Sequence, residues 1–548
     1  MTIKYVKTTK ANPLLTYRED RPSMSHALSP PTLTSFCLET LPPGVAQAAR
    51  SGMIIANKLL LEAEMLILKY APLDMFADLC AIPGLVIDIS EFADPLLSAL
   101  DRVMDDEKLV LLAWNDYATR RPHCLTTGRP STPVEASLRL QAVRRLYNWP
   151  YRMVHTQVSG SIALRQFTRV YWHRVPNHAT MNDWERALRP STVRLINQRV
   201  VELAVEYSVT QGKKLRSDGT VVETNIHYPT DSRLLEDSVR VLGRMLSAGR
   251  KLVGNRPDVP KSLFVNHTRS VKRLAREIAR ESRKTKGKKI TPRTRKMYKK
   301  LLKTTQATLD HARKAAPILR QYGELAGQAL ADNLAHYIPL VERVIDQAYR
   351  RVVLGEKVPA SEKLVSLFEP HTAVIRRGKP APRDTEFGRK VWLDEVDGGI
   401  ITDYRILSGN PPDSKQFEES LEQHQKLFGH PPEVIATDRG TYSPDSEEAA
   451  RQAGVKQVSM PQPGQRTPER IEYERQKWFR LAQRFRAGIE GRISVVKRAR
   501  HLDRCLDKGE AGFEKWVGWG CIVNNLVIIA QALLKPRRRQ RQPGATTA

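Results

Sequence analysis

The sequence predicts an α/β fold: a mixed-sheet core interrupted by a helical insertion and preceded by helical domains. Three observations carry that prediction. Segments with strand texture, rich in Val and Thr or alternating with period two, lie from Leu215 to Thr224, around Val391 to Ile406, from Val434 to Ala436 and from Val455 to Val458. A long, strongly basic helical stretch, from about Arg250 to Leu367, separates the first of these from the rest. Upstream, apolar residues recur at spacings of three and four, the period of amphipathic helices.

Size and charge narrow the class. A chain of 548 residues with 41% hydrophobic side chains has room for roughly three or four domains with real cores. Lys and Arg outnumber Asp and Glu by 89 to 59, a net charge of +30, so the natural partner is a polyanion, with nucleic acid foremost. The cationic stretches lack the large apolar residues that would seat a helix in a membrane surface. Cys37, Cys80, Cys124, Cys505 and Cys521 form no CxxC pair, which argues against a zinc knuckle or a disulfide framework. The opening MTIKYVKTTKANPLLTYRED has no apolar signal core, so no export is expected and a reducing cytoplasm is the expected location. The run from Trp516 to Leu534 is long enough for a membrane span, but Asn524, Asn525 and Gln531 interrupt it and Gly518 and Gly520 lie in its first half. A buried core helix is expected there, and no membrane partner.

Taken in order, residues 1–125 open with a polar segment containing proline and then show a helical pattern from about Met53 to Tyr70, with no legible role. Residues 126–210 read as a compact helical domain that starts a helix at Thr132, Pro133 and Glu135; short helices with basic faces suit DNA-end binding, and a dimerisation or scaffold module is the alternative. The strand from Leu215 to Thr224 projects Asp218, the HYP turn breaks it, and Asp231 or Ser232 is expected to cap an amphipathic helix. The basic insertion at 251–384 is densest in VKRLAREIARESRKTKGKKITPRTRKMYKKLLKTT. There Lys284, Lys286, Lys288 and Lys289 are candidate phosphate contacts. The sheet core comprises 211–250 and 385–535. Asp397-Gly398-Gly399 marks a hairpin, and the strand from Val434 to Ala436 delivers Asp438 at its carboxyl end, where open α/β sheets place their sites. Ser443-Pro444 with Asp445 begins the next helix, and 536–548 read as a basic, disordered tail.

Near the C-terminus, RFRAGIEGRISVVKRARH places Arg486, Glu490 and Lys497 at spacings of four and seven, which returns all three to one helix face over roughly 10 Å. On its own, such a stripe is ordinarily a solvated face with i,i+4 ion pairs. Three acids at separate element ends, Asp218, Asp438 and Glu490, change its meaning. Carboxylates repel phosphate, so a basic protein keeps such a set near nucleic acid only if divalent ions cover it. Two ions about 4 Å apart then serve in-line phosphoryl displacement. Other polar residues read as ordinary: Glu223 as a surface strand position, His227 and His371 as isolated histidines, Trp516 and Trp519 as core.

SDGTVVETNIHYPTDS, FEPHTAVIRRGKPAPRDTEFGRKVWLDEVDG, ATDRGTYSPDSEEAA and RFRAGIEGRISVVKR, in that order, resemble the bacterial insertion-sequence DDE transposases, closest to the ISNCY-type group. The resemblance covers about 210–250 and 365–535, and 128–203 resembles the helical N-terminal domain of the same group. It implies a ribonuclease H-like core, two Mg²⁺ ions with Mn²⁺ as a substitute, double-stranded DNA as partner at both transposon ends and target, and a homodimer or larger assembly on that DNA. It also implies Asp218, Asp438 and Glu490 as the catalytic metal ligands; Asp231, near the same strand end, is the alternative to Asp218. Arg486 and Lys497 match the R and K of the family's YREK signature, whereas Gln483 stands where its Tyr would be. Arg439 joins Arg486 and Lys497 as a DNA-binding candidate. The implied activity is hydrolysis at the transposon end followed by attack of the freed 3′-hydroxyl on target DNA. Two other readings remain open: a structure-selective nuclease on the same core, and a transposase-derived DNA-binding protein without catalysis.

Overall fold

The computed structural model describes residues 66–82, 88, 92–120, 131–254, 256–257, 259–284, 290–376, 385–409 and 411–535. Lys286, Lys288, Lys289, Cys37, Cys124 and the tail at 536–548 lie outside them. So does the helix expected from Met53 to Tyr70, except for 66–70, which are not helical.

The first part of the fold is a layer of short helices: α1 (Met75–Cys80), α2 (Pro95–Met104), α3 (Glu107–Ala118), α4 (Val134–Tyr147), α5 (Tyr151–Gly160), α6 (Ile162–Phe167), α7 (His178–Ala187) and α8 (Pro190–Glu206). Short polar side chains start several of them by accepting from backbone amides the helix cannot satisfy: Asp94 from Leu96 at 2.8 Å, Asp106 from Leu109 at 3.0 Å, Asn177 from Thr180 at 2.9 Å. α4 begins at Val134 as its sequence signal implies, but Pro133 occupies the cap position and no side chain caps it. Every residue of α4 from Val134 to Arg145 is buried. Its Arg139 pairs inward with Asp101 at 2.6 Å and Glu135 at 3.0 Å, so this arginine is a structural ion-pair partner.

Strand β1 (Lys214–Glu223) follows, then α9 (Asp231–Val253), which the sequence reading places almost wholly with the sheet core, and the insertion helices α10 (Thr268–Lys284), α11 (Pro292–Tyr322) and α12 (Glu324–Tyr349). Thr230, one residue before the expected Asp231 or Ser232, caps α9. These helices close on a core of their own that includes Leu235, Leu242, Val271, Leu301 and Leu334. α10 contributes only the stripe Val271, Leu274, Ala275 and Ile278 to burial; its many Lys and Arg residues surround that stripe.

The remaining elements are β2 (Ala373–Arg376), β3 (Thr385–Val396), β4 (Ile401–Leu407), α13 (Phe417–Phe428), β5 (Val434–Ala436), α14 (Pro444–Gln452), β6 (Gln457–Ser459), α15 (Pro468–Arg475), α16 (Lys477–Ala499) and α17 (Gly509–Leu534). The sheet is mixed and open. β1 pairs antiparallel with β3 and parallel with β5; β5 pairs parallel with β6, while β2 and β4 both pair antiparallel with β3. The β3–β4 hairpin turns at Asp397–Gly399, where Gly398 and Gly399 take φ of +80° and +82°, values that L side chains rarely adopt. Ser443 caps α14 through Ser446 N at 3.0 Å, as its sequence implies. β2 has no counterpart in the sequence prediction.

α17 is long and apolar enough to cross a membrane by length and composition, yet most of it is buried in this fold. Its polar interruptions explain why. Asn525 accepts from Ile401 N at 2.9 Å and donates to Ile401 O at 2.7 Å, docking the helix on the backbone at the start of β4. One hydrophobic cluster runs from the N-terminal helices through β1 and β5 to α17, with Val143, Val193, Leu215, Ile435, Trp519 and Ile522 among its members.

Candidate active site

The sheet register brings the first two acids together. Arg216 on β1 is opposite Ala436 on β5, so Asp218 lies two residues beyond the paired segment and Asp438 follows where the β5 backbone leaves the sheet. The turn after β5 orients Asp438: its Oδ1 accepts from Thr441 N at 3.1 Å and Thr441 Oγ1 at 2.9 Å. Asp438 therefore caps its turn through one oxygen, and the other, Oδ2, faces α16.

Two sets of contacts hold α16 over these strands. Gln483 Nε2 donates to Ser459 O and Ser459 Oγ, both at 2.9 Å, and to Thr437 O at 3.3 Å, which ties the helix to the ends of β5 and β6. The position that departs from the YREK pattern thus has a defined structural task here. On the other side, Glu395 of β3 is completely buried and receives two guanidinium groups: Arg216 of β1 at 2.7 Å and Arg492 of α16 at 3.1 Å. Arg216 also packs on the Phe485 ring, 4.5 Å from its centroid, and donates to Phe485 O. These bonds lock the rotation of α16, so Arg486 and Glu490 overhang β1.

Arg486 is the centre of the arrangement. Its Nη2 lies 3.3 Å from Asp218 Oδ2 and 4.0 Å from Asp438 Oδ2, and its Nη1 lies 3.1 Å from Glu490 Oε1. Three acids far apart in sequence meet around one guanidinium. Burial pushes the Asp218 carboxyl up to about 6; Arg486 opposes that rise, and the like charges of Asp438 and Asp413 add to it. Gly219 N donates to Asp218 at 2.7 Å and also stabilises its ionised form. Glu490, by contrast, is 68% exposed and reaches the cluster from solvent.

Asp413 is an acid that sequence reasoning missed. It pairs with Lys390 of β3 at 2.6 Å. A Cβ at Gly219 would come within 3.7 Å of it, and one at Gly440 within 3.6 Å of it and 3.4 Å of Asp438. Two glycines therefore leave the floor between these carboxylates open. Its segment, PPDSKQ, reads only as a turn in sequence.

The other candidates are distributed differently. Asp231 pairs with Arg351 of the insertion at 2.7 Å and takes no part in the Arg486 cluster. Arg439 is exposed beside Asp438, and Lys497 is half-buried two turns beyond Glu490 on α16. Lys284 is exposed at the end of α10 and pairs with Glu281 at 3.0 Å. Among the described residues, no group of three His, Cys, Asp or Glu side chains stands in a metal-ligating cluster as positioned. Chemically, the set offers hard oxygen donors gathered about a positive charge, a composition suited to Mg²⁺ or Mn²⁺.

Residues 87–187 match the family model described as Transposase domain (DUF772). The match lies on the helical layer and supports a transposase family for this chain. No curated protein and no solved structure matches it significantly.

Proposed function

We propose that the chain is a DDE-type insertion-sequence transposase with a ribonuclease H-like core, acting on double-stranded DNA at the terminal inverted repeats of its own element. The observation that carries this reading is the meeting of Asp218, Asp438 and Glu490 around Arg486, from a strand, a strand end and a helix. The match to a transposase domain over 87–187 supports the transposase role independently of the acids. The antiparallel strands β4, β3 and β1, extended on the β1 side by the parallel β5 and β6, support the ribonuclease H-like assignment, with the short β2 added along β3.

Asp218, Asp438 and Glu490 would hold two Mg²⁺ or Mn²⁺ ions. The fit rests on the donor set and on the guanidinium, which marks the place as one that demands positive charge. Bound divalent ions supply the Lewis acidity that activates an attacking oxygen and stabilises a leaving one. The protein's own residues do the rest. Arg486 gathers the three mutually repelling acids into one place and offers its remaining donors to a DNA phosphate. Arg439 and Lys497 hold the strand on either side, and Gln483 and Glu395 fix the helix that carries Glu490. The work takes place at the bacterial nucleoid, on an assembly of at least two copies that pairs the element's ends.

The test is incubation of the protein with a plasmid carrying the repeats that flank its gene, in Mg²⁺. Excision with joining to a target is the expected product. Cleavage without joining assigns a nuclease, and binding without cleavage assigns a DNA-binding derivative of a transposase.

A further inference from the structure

A second charged site lies where α4, α7 and the start of α17 meet. It is a pocket of about 690 Å³ lined by Arg144 and Arg145 at the end of α4, Glu185 and Arg186 on α7, and Asp507, Lys508 and Lys515 around the start of α17. Two of its cations are matched. Arg144 makes a two-point pair with Asp507, at 2.6 and 3.2 Å, and Lys515 pairs with Glu185 at 3.1 Å.

Arg145 is left over. It is 1% exposed, lies 3.7 Å over the Trp516 ring, and donates through Nη2 to Arg500 O at 2.8 Å and Trp516 O at 3.3 Å. Its Nε and Nη1 have no hydrogen-bond partner, and no carboxylate among the described residues pairs with it. A buried guanidinium without an anion is strongly disfavoured. Burial and the neighbouring Arg144 push its pKa down to about 9, which still leaves it cationic at neutral pH. At the pocket mouth, Arg186 and Lys508 are exposed and add positive charge, and Trp149 and Tyr151 form aromatic walls.

We infer that this pocket binds a phosphate ester of a nucleotide, with Arg145 at its base and Arg186 and Lys508 at its mouth. The free Nε and Nη1 of Arg145 offer N–H donors to phosphate oxygens, and aromatic walls accept a base or sugar face. The volume exceeds what a bare phosphate needs. The site stands whether or not the acids around Arg486 cleave DNA, because binding here uses none of them.

The experiment is calorimetric titration of the full chain with a 5′-phosphorylated thymidine dinucleotide in EDTA. Saturable binding is expected, weakened about tenfold in Arg186→Ala/Lys508→Ala and unchanged in Lys456→Ala, an exposed lysine elsewhere on the fold. Arg145→Met should abolish it; because that variant opens a buried site, the mouth variant, which alters only exposed residues, decides the matter if Arg145→Met does not fold. Displacement by duplex DNA would identify a backbone phosphate as the natural occupant, and displacement by a mononucleotide alone would identify a free nucleotide. Absence of saturable binding, or equal affinity in the mouth variant and the wild type, would overturn the inference.

Discussion

At Asp218 two demands conflict. The carboxylate is drawn into the sheet, where burial raises its pKa from 3.8 to about 6, yet the metal-ligand role proposed for it needs the ionised form. A folded-state value above the unfolded one means that stability declines as pH rises from about 4 to about 6 and that the loss is complete above that range. Asp218→Asn should therefore stabilise the metal-free protein at pH 8 by on the order of 2 kcal/mol, and the gain should vanish below about pH 4. Chemical denaturation in EDTA at both pH values checks this; equal stability at pH 8 would mean the carboxylate bears no burial penalty. Arg486 and Lys497 invite a paired comparison. Arg486 touches all three acids, so Arg486→Ala should disturb the acid cluster and shift the Mg²⁺ dependence of single-turnover cleavage to higher concentration, whereas Lys497→Ala should lower cleavage at every Mg²⁺ concentration. Rescue of Lys497→Ala by Mg²⁺ without rescue of Arg486→Ala would reverse those roles. Asp438 and Glu490 were legible because a strand end and a helical spacing are local patterns. Asp413 was not, because only the tertiary approach of its loop to Gly219 and Gly440 distinguishes it from an ordinary turn residue.

Among the elements, α16 is positioned by one buried charge, Glu395 of β3. Glu395 accepts guanidinium groups from β1 and α16 at once, so Glu395→Ala would leave two arginines facing each other without a counter-ion. The expected loss is roughly 3 kcal/mol in denaturant unfolding, with Glu395→Gln recovering part of it through its remaining acceptor. A loss under about 0.5 kcal/mol would show that α16 is held by its apolar contacts alone. The hairpin at Asp397–Gly399 could be read from sequence because its glycines answer a backbone need at the turn itself. β2 could not, since its four residues pair only with the start of β3 and lack a buried alternating face of their own. Arg139 and Arg144 of α4 could not be read as buried for a comparable reason: sequence reports charge, and only packing reveals that Asp101, Glu135 and Asp507 receive it.

Over the whole molecule, the described residues form three hydrophobic cores, and the two largest have different tasks. One joins the N-terminal helices to the sheet and α17; the other belongs to the insertion. The insertion carries its basic helices on a separate support, which suits a surface that grips DNA without reading it. Neutralising Lys284, Lys286, Lys288 and Lys289 together should weaken binding to specific and random duplexes alike and flatten the salt dependence by roughly one unit per lost phosphate contact. Selective loss of end recognition would assign base reading to this segment instead. If Asp438 and Glu490 act in strand cleavage and not in DNA binding, Asp438→Asn and Glu490→Gln separate the two when Mg²⁺-dependent cleavage of end DNA is measured alongside binding of the same DNA. Cleavage should disappear in both variants while affinity stays within a few-fold of wild type; robust cleavage by either variant would contradict the account.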